Sequence, residues 1–388
     1  MMQGALHGLL VVDLTSHLSG PYCTMLLGDM GAEVIKVERP GAGDDSRRMP
    51  PMVDGMGAPY ALWNRNKRSI ALDPKAPEDA EVLRRLIARA DVLVENMRPG
   101  ALARMGWDWP ALHALNPRLI LASISGFGQD GPWAAHGGFD LMAQGMAGLM
   151  ASNGPVEGEP HRLPIAISDI SAGMFACIGI LGALQARQRT GRGQQVEASL
   201  FESALALSIY EAAAVLGTGR RPERLGQAHR GAAPYQIFRT ADGYITLGAG
   251  QDHFFARLCD LLGQPDLAKD ARFATVAARV ANHGALVAIL NEHLARRDSA
   301  TWLAALEEAG IPAEKVLHYD EALAHPQAIA RGVVTEVPGA RQGLRRTLAP
   351  AVQLKDTPSA VRRPAPALDE HGAEIRRWVM QDPPPATR

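Results

Sequence analysis

Short apolar runs recur through the opening part of the chain, at residues 9–13, 32–39, 67–73, 91–96 and 118–125, each set off by turn residues or by a helical stretch. Segments this short, each with an apolar centre, read as strands. Helices are expected between them: one follows Ser19-Gly20-Pro21, one opens at Pro77 with Glu78 and Asp79 in its first turn, and a short one starts at Pro99-Gly100. Proline suits a first turn because its missing N–H would have no helical partner there, and acids suit the positive end of the helix dipole. The alternation predicts a parallel sheet wrapped by helices, an α/β, Rossmann-like fold. A long apolar helix is expected over 170–189, ended by Thr190-Gly191-Arg192-Gly193, and a strand at 195–200 with a helix behind it. The most apolar part of that long helix, residues 174–184, reads as too short to span a membrane.

The texture changes near Arg221. Residues 235–240 and 244–247 flank Ala241-Asp242-Gly243, a hairpin signal, and three or four helices follow to about Arg331. This predicts a smaller α+β domain over 221–331. Beyond it, 333–337 is a strand candidate and the remainder reads as Pro-rich, polar turns. Any disorder is expected only in the Pro-rich tail from Asp382 to Arg388.

Charge narrows the partners. Forty Lys and Arg balance forty-one Asp and Glu, so no long-range field draws polyanions or an anionic membrane. The doublets Arg47-Arg48, Arg296-Arg297, Arg345-Arg346 and Arg362-Arg363 are scattered without aromatics between them and read mostly as solvated faces; nucleic acid is not an expected partner. Cys23, Cys177 and Cys259 sit in apolar helical contexts and read as buried, reduced thiols. With no leader pattern at the amino terminus, a cytoplasmic location is the expectation.

The opening strand–helix–strand is the unit that places a nucleotide at the carboxyl ends of parallel strands. Its first turn supplies only Gly20, so the close-packed pyrophosphate of a dinucleotide fold is not expected. The second strand ends in Glu38-Arg39, and a guanidinium there suits a phosphorylated ribose, as carried by NADP or coenzyme A. The plainer alternative for Arg39 is a solvated strand end. Gly126-Phe127-Gly128-Gln129-Asp130-Gly131 matches G-x-G-x-x-G literally, but Pro132 and Gly137-Gly138 follow it, so no helix N-terminus faces a phosphate there. The twelve histidines form no H-x-x-x-H pair, and neither C-x-x-C, an Asp-rich calcium loop nor G-x-S-x-G occurs, so no metal site is expected. What remains is Asp169, at the mouth of the long apolar helix with Ser171, Ala172 and Gly173 behind it. It reads either as that helix's N-cap or as an ionised nucleophile with small neighbours leaving room for substrate.

The sequence resembles the class III coenzyme A transferases, which include formyl-CoA transferase, carnitine CoA-transferase and the α-methylacyl-CoA racemases. The likeness runs through most of the chain and rests on Ser19-Gly20-Pro21, residues 31–38, Gly43-Asp44, Asn66-Lys67-Arg68-Ser69, residues 91–96, Arg98-Pro99-Gly100, residues 116–120, residues 125–129 and residues 190–194. By this resemblance Asp169 is the nucleophile. The coenzyme A contacts fall on Ser16, His17, Leu18, Ser19, Arg39, Leu72, Lys75, Asn96, Met97, Arg98 and Arg104. The resemblance also implies an interlocked, ring-like homodimer and a large CoA-binding domain made of 1–220 completed by 332–388. Acyl-CoA and small carboxylic acids are the implied substrates, with no permanently bound cofactor.

Two departures narrow the activity. Formyl-CoA transferase carries an extra glycine-rich segment, whereas here residues 224–229 run straight on to Pro234-Tyr235-Gln236, which disfavours formyl or oxalyl transfer. The racemases place a histidine directly before an aspartate where this chain has Phe139-Asp140, and a phenyl ring cannot exchange a proton. The expectation is therefore CoA transfer from an acyl-CoA such as succinyl-CoA to a free acid through an aspartyl-CoA thioester, with a 2-methylacyl-CoA racemase as the alternative.

Overall fold

The computed structural model describes residues 3–381; the Pro-rich tail lies outside the described residues. The chain divides into two compact units, one of Met1–Leu149, Arg162–Gly217 and Pro326–Arg388, the other of Met150–His161 and Thr218–His325.

The first unit is built on six strands: β1 (Leu10–Asp13), β2 (Glu33–Glu38), β3 (Lys67–Ala71), β4 (Val92–Glu95), β5 (Ile120–Ser125) and β6 (Gln195–Ser199). All pairings are parallel and the order is β3-β2-β1-β4-β5-β6, the doubly wound arrangement with its switch point between β1 and β4. Alternation along each strand sends neighbouring residues to opposite faces. Val11, Val34 and Val92 pack beneath helices α1 (Ser19–Asp29) and α3 (Ile167–Thr190), against Cys23, Leu27, Ala172, Ala176 and Ile180. Val12, Ile35 and Leu93 pack on the other face against Leu83, Leu86 and Ile87 of α2 (Pro77–Arg89) and Ile375 and Val379 of α5 (Gly372–Gln381).

Two expectations fail here. Helix α3 is 24 residues long and holds an 18-residue stretch apolar enough, by length and composition, to cross a membrane, because helical structure extends well beyond the 174–184 run on both sides. One face of it is apolar because it lies in the core, and Arg187 in its last turn makes a 2.8 Å ion pair with Asp91. Helix α5 forms where polar turns were expected. Its two core-facing residues four apart, Ile375 and Val379, supply too little pattern to stand out among charges.

The second unit holds a three-stranded antiparallel sheet in which Tyr244–Gly248 lies between Tyr235–Arg239 and Ala313–Lys315. Four helices, α4 (Asp252–Leu261), Val276–Ala281, His283–Leu294 and Ser299–Glu308, follow the hairpin, and Phe238, Ile245, Leu258, Leu290 and Trp302 share the core. The third strand was not foreseen, since three residues of Ala-Glu-Lys carry no strand periodicity.

Beneath the turn that follows β1 lies a buried set of charges. Asp13 and Lys67 are both inaccessible and lie 3.0 Å apart, and Lys36 pairs with Asp44 at 2.9 Å. The lysines also donate to main-chain carbonyls of the turn, Lys36 to Thr15 (2.8 Å) and Lys67 to Pro21 (3.0 Å). Burial alone would raise the Asp13 carboxyl, but Lys67, Lys36, Thr15 and Thr24 outweigh it and hold it well below the carboxylate range. Burial draws the Lys67 ammonium down to about 8 despite Asp13. Replacing Asp13 by Ala would leave the buried Lys67 ammonium without its carboxylate, a loss of about 3–5 kcal/mol of stability. The expected result is a clear fall in the urea midpoint of Asp13→Ala; an unchanged midpoint would contradict the coupling.

Candidate active site

At the carboxyl ends of β1, β4 and β5, a cavity of about 470 Å³ opens at the switch point. Its wall includes Ser16, His17, Leu18 and Ser19 from the turn after β1, Asn96, Met97 and Arg98 from the turn after β4, Gly126, Gly137 and Gly138, and Asp169. The turn after β1 is fixed from below by the two lysines and from the side by Asn96, whose amide accepts from Ser16 N–H (3.0 Å) and donates to Ser16 C=O (2.8 Å). His17 adopts a left-handed conformation (φ +64°), uncommon for a residue with a side chain, and its N–H donates to Asp44 at 3.2 Å. Gly126 and Gly138 touch backbone to backbone, so a Cβ on either would collide with the other.

Asp169 does not cap its helix. Asp140 does so instead, since its Oδ1 accepts the Ser168 N–H at 2.9 Å while its Oδ2 accepts from Gln144 at 2.7 Å. Buried Gln144 also accepts from Leu163 N–H (2.9 Å), holding the approach to α3. The Asp169 carboxylate is thereby left to the cavity. Burial pushes its carboxyl up to about 6 and the nearby Asp140 charge adds to the rise, while a hydrogen bond from Ser19 and the charge of His17 oppose it. At neutral pH the group is still mostly ionised. Gly173, one turn further along α3, leaves room not for substrate but for the Ser19 carbonyl, which occupies the space a Cβ would need. That close approach of α1 brings the Ser19 hydroxyl to Asp169.

The family model for CoA-transferase family III matches residues 6–372. The chain belongs to this family. A relative from Acetobacter aceti named acetyl-CoA:oxalate CoA-transferase is 39% identical over 379 residues, which cover 97% of this chain and 96% of that protein. A Mus musculus protein named succinyl-CoA:glutarate CoA-transferase is 38% identical over 377 residues, covering 97% of this chain and 86% of the relative. The crystal structure of a CaiB/BaiF family protein from Brucella suis superposes with a TM-score of 0.87 at 40% identity, covering 97% of this chain and all of that one.

In this family member, the residues that the resemblance implicates divide between two adjoining cavities. Ser16, His17, Leu18, Ser19, Asn96, Met97, Arg98 and Asp169 line the first. Arg39 and Leu72 line a second, of about 290 Å³, which shares Ser16, Asn96 and Met97 with the first. Lys75 and Arg104 line neither, although each is next to a residue that does, Pro74 and Met105. Asn96 spends its amide on the Ser16 backbone. Arg39 is already paired with Asp45 at 3.1 Å, whereas Arg98 lies exposed beside Gly137 with no acidic partner among the described residues.

The sequence reading missed Asp140 and Gln144. Their spacing of four on a helix that follows Gly137-Gly138 was the available signal. It also placed Arg47 on a solvated face, whereas Arg47 pairs with buried Glu38 at 2.6 Å and stacks over the Tyr60 ring at 4.0 Å. Among the described residues no cluster of His, Cys, Asp and Glu is arranged to hold a metal ion.

An infrared titration of the protein, differenced against Asp169→Asn, is expected to reveal a carboxyl titrating near pH 6. In Asp140→Asn the neighbouring negative charge is gone and the ionised form gains, so that titration moves to lower pH. A wild-type carboxyl with the ordinary value of about 4 would refute the desolvated placement.

Proposed function

We propose that this protein moves CoA reversibly from an acyl-CoA, with succinyl-CoA as donor, to a free carboxylic acid through an aspartyl-CoA thioester on Asp169. The observation that carries this reading is the position of the Asp169 carboxylate: uncapping, partly desolvated, and facing a cavity that runs on into a second one beside Arg39. A slender ligand with an adenosine at one end and a thioester at the other suits two joined cavities of this kind. Leu72 and Met105 offer the second cavity an apolar wall, and Arg39 offers a cation at its rim.

Asp169 attacks the donor thioester carbonyl, the C–S bond breaks, and a mixed anhydride forms with release of the CoA thiolate. The thiolate then attacks the aspartyl carbonyl of the anhydride, which forms the aspartyl-CoA thioester and releases the donor acid. The acceptor carboxylate runs the same two steps in reverse, so one thioester replaces another and Asp169 is regenerated. Each step passes through a tetrahedral oxyanion. Gly126, Gly137 and Gly138 border the cavity, and a backbone N–H donor is worth about 3 kcal/mol where it meets an oxyanion. Arg98 supplies a cation for a substrate carboxylate or phosphate.

The names of the relatives support a short dicarboxylic acid as acceptor. Glutarate fits the absence of the glycine-rich segment, and oxalate, set aside on that ground, returns as a candidate because a relative at 39% identity is named for it. Racemisation is not favoured: Phe139 stands at the cavity where a second base would be needed, and the relatives are named as transferases.

The working form we infer is a homodimer. In the first unit Ile178, Ile209, Tyr210 and Leu216 are exposed, Leu216 to 87%, together with Phe139, Leu141 and Met142. Apolar exposure on this scale is characteristic of a surface that meets another protein chain. The three buried, unpaired cysteines fit a reducing compartment such as the cytoplasm.

Brief incubation with succinyl-CoA followed by intact-mass measurement is expected to show a CoA adduct that maps to the peptide containing Asp169. Asp169→Asn should form no adduct and lose turnover while still binding CoA. Comparable turnover in that variant would eliminate Asp169 as nucleophile, and deuterium exchange at the α-carbon of a 2-methylacyl-CoA without an adduct would favour racemisation.

A further inference from the structure

Two arginines and a histidine converge on one surface carboxylate at the edge of the second cavity. Asp45 receives Arg39 at 3.1 Å and Arg48 at 2.9 Å, and the His17 ring stands 3.8 Å away. The two arginines also hold the loop between them, Arg39 through the Gly43 carbonyl (3.3 Å) and Arg48 through the Ala42 carbonyl (2.9 Å). Arg39, Gly43, Asp44 and Asp45 line the cavity, whose remaining wall includes Leu72, Leu83 and Met105.

We infer that Arg48 acts with Arg39 as a second clamp for the ribose phosphate of CoA, and that Asp45 is an internal anion which this phosphate displaces. The inference rests on the reading of these cavities as a CoA site. An apolar slot edged by guanidinium groups suits a purine nucleoside that carries a phosphate monoester. Asp45 is 48% exposed and Arg39 and Arg48 are 66% and 59% exposed, so the pairs are worth little and the carboxylate can turn into water at small cost. A phosphate monoester brings about two negative charges at neutral pH and three acceptor oxygens, enough to engage two guanidinium forks at once, which a single carboxylate does less well. Asp45 thus sets a threshold: ligands lacking the ribose phosphate gain nothing from opening the Arg39–Asp45–Arg48 arrangement.

Isothermal titration of the full-length protein with CoA and with 3′-dephospho-CoA tests this. Arg48→Ala is expected to weaken CoA binding about tenfold and to leave 3′-dephospho-CoA within about twofold. Asp45→Asn removes the competing charge, so CoA should bind about threefold tighter, with 3′-dephospho-CoA unchanged. The difference between the two ligands should shrink as salt is raised. Equal weakening of both ligands by Arg48→Ala, no effect on either, or a wild type that does not distinguish them would overturn the clamp. A wild type that binds neither ligand would instead remove the CoA reading on which it stands.

Discussion

The turn between β1 and α1 depends on charges buried beneath it. Asp13, Lys36, Lys67 and Asp44 are drawn from four separate places in the chain, and each is inaccessible or nearly so. Ammonium and carboxylate groups are costly to remove from water, and they stay charged here because every one meets an opposite charge and at least two also meet main-chain carbonyls. The arrangement returns that cost as rigidity. Thr15 and Pro21 cannot shift without stranding a lysine, so Ser16 to Ser19 are presented to the cavity in one conformation. The left-handed backbone of His17 persists under the same constraint, held through its N–H by Asp44.

A second constraint shapes the acid. A carboxylate in the first turn of a helix would ordinarily be drawn onto free N–H groups and become a structural cap. In this protein Asp140 takes that work from a neighbouring helix, which leaves Asp169 near the helix dipole without being consumed by it. Desolvation and the like charge of Asp140 then make the ionised form less comfortable than in water, and Ser19 and His17 moderate the effect. The outcome is a carboxylate that is ionised at neutral pH yet more basic than a surface aspartate, which is the direction a weak nucleophile needs. Glycine makes the geometry feasible, at Gly173 for the approach of α1 and at Gly126 and Gly138 for the crossing of two loops.

Much of this was legible in the sequence. The six strands fall within two residues of the segments that marked them, because each is a short stretch bounded by turn or helix signals that are local in the sequence. The family likeness pointed to Asp169 and to nine further residues that line one or other cavity, and the structure brings those residues together. Lys75 and Arg104 are the exceptions, long side chains at the rim whose reach the local pattern does not encode. Helix α5 escaped notice because its partners on α2 lie almost three hundred residues away, as in the Arg376–Asp79 ion pair at 2.6 Å.

By itself, then, the sequence determined the parallel α/β sheet, the family and the acid at the head of the long helix, since each is written in residues close together along the chain. Only the tertiary structure decided what that acid does with its charge. Whether Asp169 caps a helix or faces a cavity depends on Asp140, 29 positions earlier, and on Ser19, on a different helix. Likewise Lys36, Lys67 and Arg47 look like ordinary surface charges until strand register sets them against Asp13, Asp44 and Glu38. Burial and pairing arise between segments that only folding brings together, so no local pattern could have declared them.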